Sequence, residues 1–329
     1  MPLVFPAPIL STTSSHLLAF FFSFSYVGSL YISKNARLSF SRSPKPSSNG
    51  IPREKLANER WRDDPDVIRA RLAAVTIASL ICCAAVLGVL WHHLGDGQWQ
   101  NFDTALNATI VRLGLLPDIH PDALYPHLVT PVLFLGPLYA QYLSATLPFQ
   151  KRWSFMQSFV NKFFTWQGIR NYSWAPLTEE IVFRACVLAV YHLSGASVSR
   201  MIFLGPLSFG LAHVHHAWDT FNRYGRTASA AKRAIISSIF QLAYTTLFGF
   251  HCSYLFLRTG SIYPAITAHI FCNIMGLPEI AYELRKFPKQ KKEIFSAYIL
   301  GIIGFIYTLP RWTKTPGVLY WDNSKNASY

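Results

Sequence analysis

The feature that most constrains this chain is a series of apolar segments that polar loops separate. A helix needs about 20 mostly apolar residues to cross a bilayer, and a scan at that length predicts about eight spans. Only 14% of the residues are charged and 51% are hydrophobic, which favours a lipid-embedded chain over two soluble domains. We therefore predict an all-α, polytopic membrane protein. Its predicted spans are residues 17–33, 72–92, 128–147, 174–193, 201–217, 234–257, 261–278 and 295–309.

The first predicted span has no Lys or Arg before it, since the first basic residue is Lys34. A cleaved signal peptide normally begins with a positively charged region. Residues 34–62 have the Ser and Arg content of a transit peptide, but an apolar stretch precedes them. We therefore expect an uncleaved first span, followed by a Ser/Pro-rich linker at 39–50.

The net charge of +14 is high enough to raise the question of nucleic-acid binding, so the positions of the basic residues matter. With eight spans, all the strongly basic loops fall on one side of the membrane, as the positive-inside rule requires. The charge therefore indicates topology, and we expect no nucleic-acid partner. Both ends of the chain are then lumenal. The basic loops are residues 34–71, 151–170, 223–233 and 285–292.

The chain divides into three parts. Residues 1–70 hold the first span and a basic Ser/Pro-rich cytosolic linker, residues 71–315 form the polytopic domain, and residues 316–329 form a short tail. Within the domain, residues 148–172 mix Phe and Trp with Lys and Arg. That mixture is typical of an amphipathic helix in the cytosolic interface, or of a basic loop with aromatic anchors.

The fourth predicted span contains charges that an apolar helix must accommodate. Its sequence WAPLTEEIVFRA carries Glu179, Glu180 and Arg184. Glu180 and Arg184 share a helix face and can neutralise each other, whereas Glu179 is rotated by about 100° and lacks that partner. Pro176 marks the start of the helix, where the macrodipole favours an anion. Glu179 is therefore a candidate base, the alternative being a purely stabilising Glu–Arg cluster.

Two further spans carry polar residues. SFGLAHVHHAW places His213, His215 and His216 at the end of one helix, and ITAHIFCNIMG places His269 and Asn273 on one face of another. We expect His215 and His216 at the membrane interface. The other three side chains lie deeper and, with Glu179, form a candidate hydrolytic site.

Hydrolysis of an amide without a covalent intermediate needs a base for water and donors for the developing oxyanion. Glu179 and His213 can hold and activate the water, while Nε2–H of His269 and the Asn273 amide can receive the oxyanion. Cys272 stands beside Asn273, outside any evident nucleophile motif. A transporter that uses the Glu and His residues as a proton relay is the alternative from another class, although no internal repeat favours it.

A zinc site is the alternative mechanism. Glu179, His213 and His269 supply the ligand types of a His₂Glu hydrolytic site. The sequence lacks the HExxH arrangement that places two ligands and a base on one helix.

Taken in order, EEIVFR fits E-E-x-x-x-R, FGLAH fits F-x-x-x-H and HIFCN fits H-x-x-x-N, on separate predicted helices. Together these motifs resemble the family of CAAX prenyl protease 2, the Ras-converting CAAX endopeptidases, within the CAAX-protease and bacteriocin-processing superfamily. The resemblance covers about residues 125–280 and leaves out the first hundred residues.

The resemblance implies an endoplasmic-reticulum membrane enzyme that removes the last three residues from prenylated CaaX proteins, in a polar cavity open to the cytosol. By motif position, Glu179 corresponds to the catalytic glutamate, His213 to the water-binding histidine, and His269 with Asn273 to the oxyanion hole. Glu180 and Arg184 correspond to the supporting pair. The family is glutamate-dependent, so the resemblance implies neither a metal nor another cofactor.

Overall fold

The prediction of an all-α protein is confirmed in the computed structural model, which describes residues 3–41, 51–95, 99–117 and 120–321. Within these ranges no β-strand occurs, and an isolated bridge pairs Ser39 with Arg60. The α-helices are α1 (Thr12–Ile32), α2 (Pro65–His93), α3 (Phe102–Arg112), α4 (Tyr125–Leu133), α5 (Leu135–Leu143), α6 (Asn161–Phe163), α7 (Trp166–Ile169), α8 (Ala175–Glu180), α9 (Val187–Leu193), α10 (Val198–Phe203), α11 (Gly205–Ala212), α12 (His216–Arg223), α13 (Ala228–Thr259), α14 (Tyr263–Met275), α15 (Ile280–Lys286) and α16 (Lys291–Trp312). Two short 3₁₀ turns, Trp99–Asn101 and Pro121–Leu124, and three π-helical turns, Phe155–Val160, Arg170–Trp174 and Ile181–Cys186, connect some of them.

The described ranges contain four helices that are long and apolar enough to cross a membrane: α1, α2, α13 and α16. Helices α4 and α5 meet at a bend of 68° and give a fifth span if the pair is counted as one. The predicted count of eight is therefore not confirmed. The other predicted spans contain shorter helices, such as the 13 residues of α14.

Proline explains two of the breaks. Pro137 has no N–H to donate to the carbonyl of Leu133, so the hydrogen-bond ladder stops between α4 and α5. Pro206 has the same effect on the carbonyl of Ile202, between α10 and α11. A sequence window measures only hydropathy and therefore reads each broken pair as one span.

Helix α11 lies close against α13 because both helices have glycine at the contact. A Cβ atom on Gly210 would come within 2.3 Å of Oγ1 of Thr246, and one on Gly249 within 2.5 Å of Cβ of Pro206. Small residues allow two helix backbones to approach in this way. The close approach fixes the end of α11, which leads directly into His213.

The basic linker ends in a segment folded against the rest of the protein. Nη2 of Arg53 lies 2.5 Å from Oε1 of Glu59, and both side chains are buried. Asp63 then contacts Arg170 at 3.0 Å and Arg223 at 2.9 Å. Residues 51–64 therefore connect the start of α2 to the segments before α8 and after α11. Most of the predicted Ser/Pro-rich linker, residues 42–50, lies outside the described residues.

The region at 148–172 contains short helical turns with exposed aromatic side chains. Phe155 and Phe159 are 59% and 40% exposed, and their rings stack at a centroid distance of 5.3 Å. Exposed aromatic rings beside Lys and Arg are typical of a membrane interface. The segment is therefore a series of short helical turns, between the two alternatives of one amphipathic helix and a basic loop with aromatic anchors.

Candidate active site

The charged segment of the fourth predicted span forms α8 and the π-helical turn Ile181–Cys186 after it. Glu180 and Arg184 are fully buried, and Nε of Arg184 lies 3.1 Å from Oε2 of Glu180, at ion-pair distance. The guanidinium also lies over the ring of Phe209, 4.0 Å from its centroid. The predicted contact between Glu180 and Arg184 is therefore present, and α11 covers it with an aromatic ring. π-Helical turns of this kind are frequent at functional sites.

His269 lies between the two neighbouring glutamates. Its Nδ1 is 2.7 Å from Oε1 of Glu180, and its Nε2 is 3.7 Å from Oε2 of Glu179. A carboxylate accepts, so Nδ1 carries the proton of the shorter contact. Nε2 is then a donor only when the ring holds both protons. The oxyanion role that the sequence predicts for Nε2–H therefore requires the doubly protonated ring.

His213 follows the last residue of α11 and is oriented by its own helix. Its Nδ1 lies 2.8 Å from the carbonyl oxygen of Phe209, which accepts a hydrogen bond. This contact assigns the proton to Nδ1, so in the neutral ring Nε2 is an acceptor. The ring also packs edge-to-face against Phe209, with 4.6 Å between the centroids. His213 can therefore accept a proton or a hydrogen bond from water through Nε2.

Asn273 lies one helical turn beyond His269 on α14. Its Nδ2 donates a hydrogen bond to the carbonyl oxygen of Asn171 at 2.8 Å, and the residue is exposed. An amide group has two N–H donors, so the second remains for another acceptor. Asn171 lies in the π-helical turn Arg170–Trp174 that precedes α8. The contact therefore joins α14 to the segment that carries the glutamates.

These side chains line one cavity of about 760 Å³. Glu179, His213, His269 and Asn273 all contribute to its wall, whereas Glu180 and Arg184 lie behind it. His215 and His216, which the sequence assigns to the interface, line the cavity as well. The rest of the wall is largely apolar and includes Leu30, Leu133, Phe134, Phe183, Phe209, Leu247, Phe248 and Phe305. The space can therefore hold an apolar chain together with a polar reacting group.

Sequence reasoning missed several residues of this wall, because they come from outside the motifs. Tyr26 of α1 contacts Oγ1 of Thr178 through its hydroxyl at 2.9 Å, beside Glu179. Arg62 and Arg71 also line the cavity. No local pattern marks these three residues, since a Tyr in an apolar helix and an Arg in a basic linker are common. The first hundred residues therefore contribute to the cavity although they lie outside the motif resemblance.

The zinc alternative requires three ligands that converge on one point. Within the described residues, no group of three His, Cys, Asp or Glu side chains is arranged to hold a metal ion. Glu179, His213 and His269 share a cavity without forming such a group. The geometry therefore gives the His₂Glu interpretation no support.

Comparison with known proteins assigns the chain to a family. Residues 161–275, which contain all six motif residues, match the model of the family described as Type II CAAX prenyl endopeptidase Rce1-like. The chain is 30% identical over 293 residues to the probable CAAX prenyl protease 2 of Schizosaccharomyces pombe, a match that covers 89% of this chain and 92% of that protein. The chain belongs to the CAAX prenyl protease 2 family.

Further members of the CAAX prenyl protease 2 family extend the comparison. The human CAAX prenyl protease 2 is 32% identical over 291 residues, 87% of this chain and 77% of that protein. The Arabidopsis thaliana CAAX prenyl protease 2 is 36% identical over 158 residues, 48% of this chain and 47% of that protein. No solved structure matches the chain. The transporter and zinc-protease alternatives receive no support from these relatives, which are named as CAAX prenyl proteases.

Proposed function

We propose that this CAAX prenyl endopeptidase removes the C-terminal aaX tripeptide from prenylated CaaX proteins, with Glu179 as the base that activates water. The observation that carries the proposal is the placement of Glu179 in the cavity wall, with its Oε2 atom 3.7 Å from Nε2 of His269. Both oxygens of Glu180 already contact Arg184 and His269, so Glu179 is the carboxylate of this pair that can contact a reactant.

The reaction follows from the capacities of each group. Glu179 takes a proton from water while Nε2 of His213 accepts its hydrogen bond, and the hydroxide oxygen bonds to the carbonyl carbon of the prenylated cysteine. The carbonyl oxygen gains the negative charge, and Nε2–H of His269 and the Asn273 amide donate to it. The C–N bond then breaks, and the proton held by Glu179 passes to the leaving nitrogen. The products are the prenylated cysteine with a new α-carboxyl group, which keeps the second proton of the water until it ionises, and the free tripeptide.

The supporting residues keep this arrangement in a low-dielectric surrounding. Glu180 holds the His269 ring through Nδ1, which aims Nε2 at the cavity. Arg184 neutralises Glu180, because a single buried carboxylate would be costly. The two residues act through others and are positioning residues.

The amphipathic character of a prenylated peptide matches a cavity in a membrane protein. A prenyl chain partitions into the bilayer while its peptide remains near the surface. The apolar part of the cavity wall suits the prenyl chain, and the basic loops suit the cytosolic side of the membrane. We propose an endoplasmic-reticulum location with the cavity open to the cytosol, prenylated CaaX proteins as partners, and the bilayer as solvent.

Cleavage of a farnesylated CaaX peptide tests this function. Purified wild-type protein is expected to release the aaX tripeptide, identified by mass spectrometry, and the Glu179→Gln variant is expected not to. Prior treatment with 1,10-phenanthroline is expected to leave the wild-type rate unchanged, since Glu179 supplies the base. Release of the tripeptide by Glu179→Gln at the wild-type rate would contradict the proposed role of this glutamate.

A further inference from the structure

A second, smaller cavity of about 180 Å³ adjoins the main one. Arg62, Arg71, His215 and His216 line both spaces. These four residues, which we call the basic wall, come from the linker, from α2 and from the junction of α11 with α12. The apolar part of the main cavity comes largely from other helices, among them α4, α13 and α16.

Arg71 has an unused donor in this wall. Its Nε donates to the carbonyl oxygen of Ala36 at 2.8 Å, which fixes the plane of the guanidinium. Its Nη2 atom is buried and has no hydrogen-bond partner among the described residues. Buried donors are normally paired, and a guanidinium remains charged. The unpartnered Nη2 donor of Arg71 is therefore suited to an anionic acceptor.

The other charges around the basic wall leave it positive. Arg62 lies 4.0 Å from Asp63, whose oxygens also contact Arg170 and Arg223 at shorter distances. Asp219 also lines the smaller cavity, and it is an ion-pair partner of Arg223 at 3.0 Å. Asp63 and Asp219 are thus each paired with another arginine, and Glu179 is the further carboxylate in the wall of the main cavity. The positive charge of Arg62 and Arg71 is available to a ligand.

Histidine completes the wall. Nδ1 of His215 donates to the carbonyl oxygen of Ala212 at 2.6 Å, so Nε2 of the neutral ring is an acceptor and the contacts to an anion come from the two arginines. His216 connects His215 to the active site, with ring centroids 4.1 Å from His215 and 5.8 Å from His213. His216, a member of the basic wall, is thus the direct neighbour of His213, the proposed water-binding histidine.

The leaving group extends away from the scissile carbonyl by about 10 Å when the tripeptide is extended. His216 lines both cavities and lies next to His213, so the smaller cavity is the adjoining space for the end of a substrate whose scissile carbonyl lies beside Glu179 and His213. The prenyl chain is attached on the other side of the scissile bond. A carboxylate is the planar, bidentate acceptor that a guanidinium edge matches.

We propose that the basic wall binds the C-terminal α-carboxylate of the substrate, with Arg71 as the principal contact and Arg62 as the supporting charge. The proposal rests on the proposed function and adds its specificity determinant: recognition of the chain end fixes the cleaved bond as the third from the C-terminus. A peptide whose α-carboxylate is blocked then loses the contact.

The test compares a farnesylated CaaX peptide acid with the same peptide as its C-terminal carboxamide, using purified full-length protein. The wild type is expected to show kcat/KM about 10–100-fold lower for the amide, the range for a hydrogen bond to a charged group. Arg71→Gln is expected to lose a similar factor on the acid and little on the amide. Arg71→Lys keeps the positive charge but lacks the paired N–H donors of the guanidinium. It is expected to keep part of the preference for the acid over the amide that Arg71→Gln loses. Arg69→Gln is the matched control, since Arg69 is exposed on the same helix and pairs with Asp66.

Each outcome decides the proposal. Equal kcat/KM for acid and amide in the wild type overturns it, and an equal preference in wild type and Arg71→Gln overturns the assignment to Arg71. A loss in Arg71→Gln that is the same for both peptides points to another anion, such as a lipid headgroup, and also overturns it. If Arg71→Gln does not fold, the same comparison of acid and amide is made with Arg71→Lys and Arg62→Gln, and an unchanged preference for the acid in both variants overturns the proposal. Failure of the proposed function looks different, since the wild type would then leave the acid uncut or Glu179→Gln would cut it.

Discussion

Glu180 accepts a hydrogen bond from Nδ1 of His269 at 2.7 Å, while its other oxygen lies 3.1 Å from Nε of Arg184. One buried carboxylate thus joins α8, the π-helical turn after it, and α14. It holds the His269 ring and neutralises the arginine at the same time. The orientation of His269 therefore depends on a residue that lies behind the cavity wall.

Glu180→Gln is expected to destabilise the protein because it leaves the Arg184 charge buried without compensation. Breaking a buried ion pair from one side costs about 3–5 kcal/mol. The measurement is the thermal unfolding midpoint of the detergent-solubilised protein, together with its level in membranes. The double variant Glu180→Gln/Arg184→Met removes both charges and is expected to recover stability but not activity. An unchanged midpoint in the single variant would argue against the buried pair.

Glu179→Gln is expected to remove activity without loss of fold. The change deletes the base and a half-buried charge while keeping the side-chain size. General-base catalysis contributes about 10²–10⁴-fold to rate, so kcat is expected to fall by at least that factor. The unfolding midpoint, measured as for Glu180→Gln, is expected to match or exceed that of the wild type. The opposite pattern, a lower midpoint with retained kcat, would assign Glu179 a structural role.

The helical periodicity of the sequence is sufficient to predict which residues lie on the same face of one helix. Spacing of four residues predicts the Glu180–Arg184 pair and places His269 and Asn273 on one face. It carries no information on contacts between helices, such as the hydrogen bond from His269 to Glu180 across 89 positions. The contribution of Arg71 to the cavity wall also depends on packing between distant parts of the chain. These contacts depend on packing that a single sequence does not encode locally.

The predicted spans show a second limit of sequence patterns. Apolar windows located helical segments in every predicted span, but they did not find the bend of 68° between α4 and α5. They also read α14, which has 13 residues, as a full crossing. Hydropathy averages over a window and does not register where Pro137 or Pro206 interrupts the backbone ladder. The number of crossings therefore stays a prediction.

The Arg53–Glu59 pair gives the linker a pH dependence. The hydrogen bond from Arg53 is the largest influence on Glu59 and lowers its pKa from 4.5 to about 2. A carboxylate with a lowered pKa in the folded state stabilises the protein above its ordinary pKa, and that stability is lost as the pH falls from 4.5 towards 2. The unfolding midpoint of the wild type is expected to fall more between about pH 6 and pH 3 than that of Glu59→Gln. Identical pH dependence in the two proteins would show that Glu59 does not hold the linker.

Asn273 offers the sharpest test of the proposed oxyanion site, because its amide can be changed with little change in size. Its Nδ2 already donates to the carbonyl oxygen of Asn171 at 2.8 Å, which holds the side chain at the cavity wall. The second N–H is the proposed oxyanion donor. Asn273→Ala is therefore expected to lower kcat by about 10²–10³, the range for loss of one such donor, with a smaller change in KM.

Asn273→Asp separates a catalytic from a structural role. The aspartate is nearly the same size but puts a negative charge where the oxyanion must form, and it has no N–H for Asn171. Its kcat is expected to fall at least as far as that of Asn273→Ala. Thr267→Ala is a matched control on the same helix, since Thr267 is exposed and contacts His127 at 2.7 Å. Near-normal kcat in Asn273→Asp would remove Asn273 from the oxyanion site and leave Nε2–H of His269 as the proposed donor on α14.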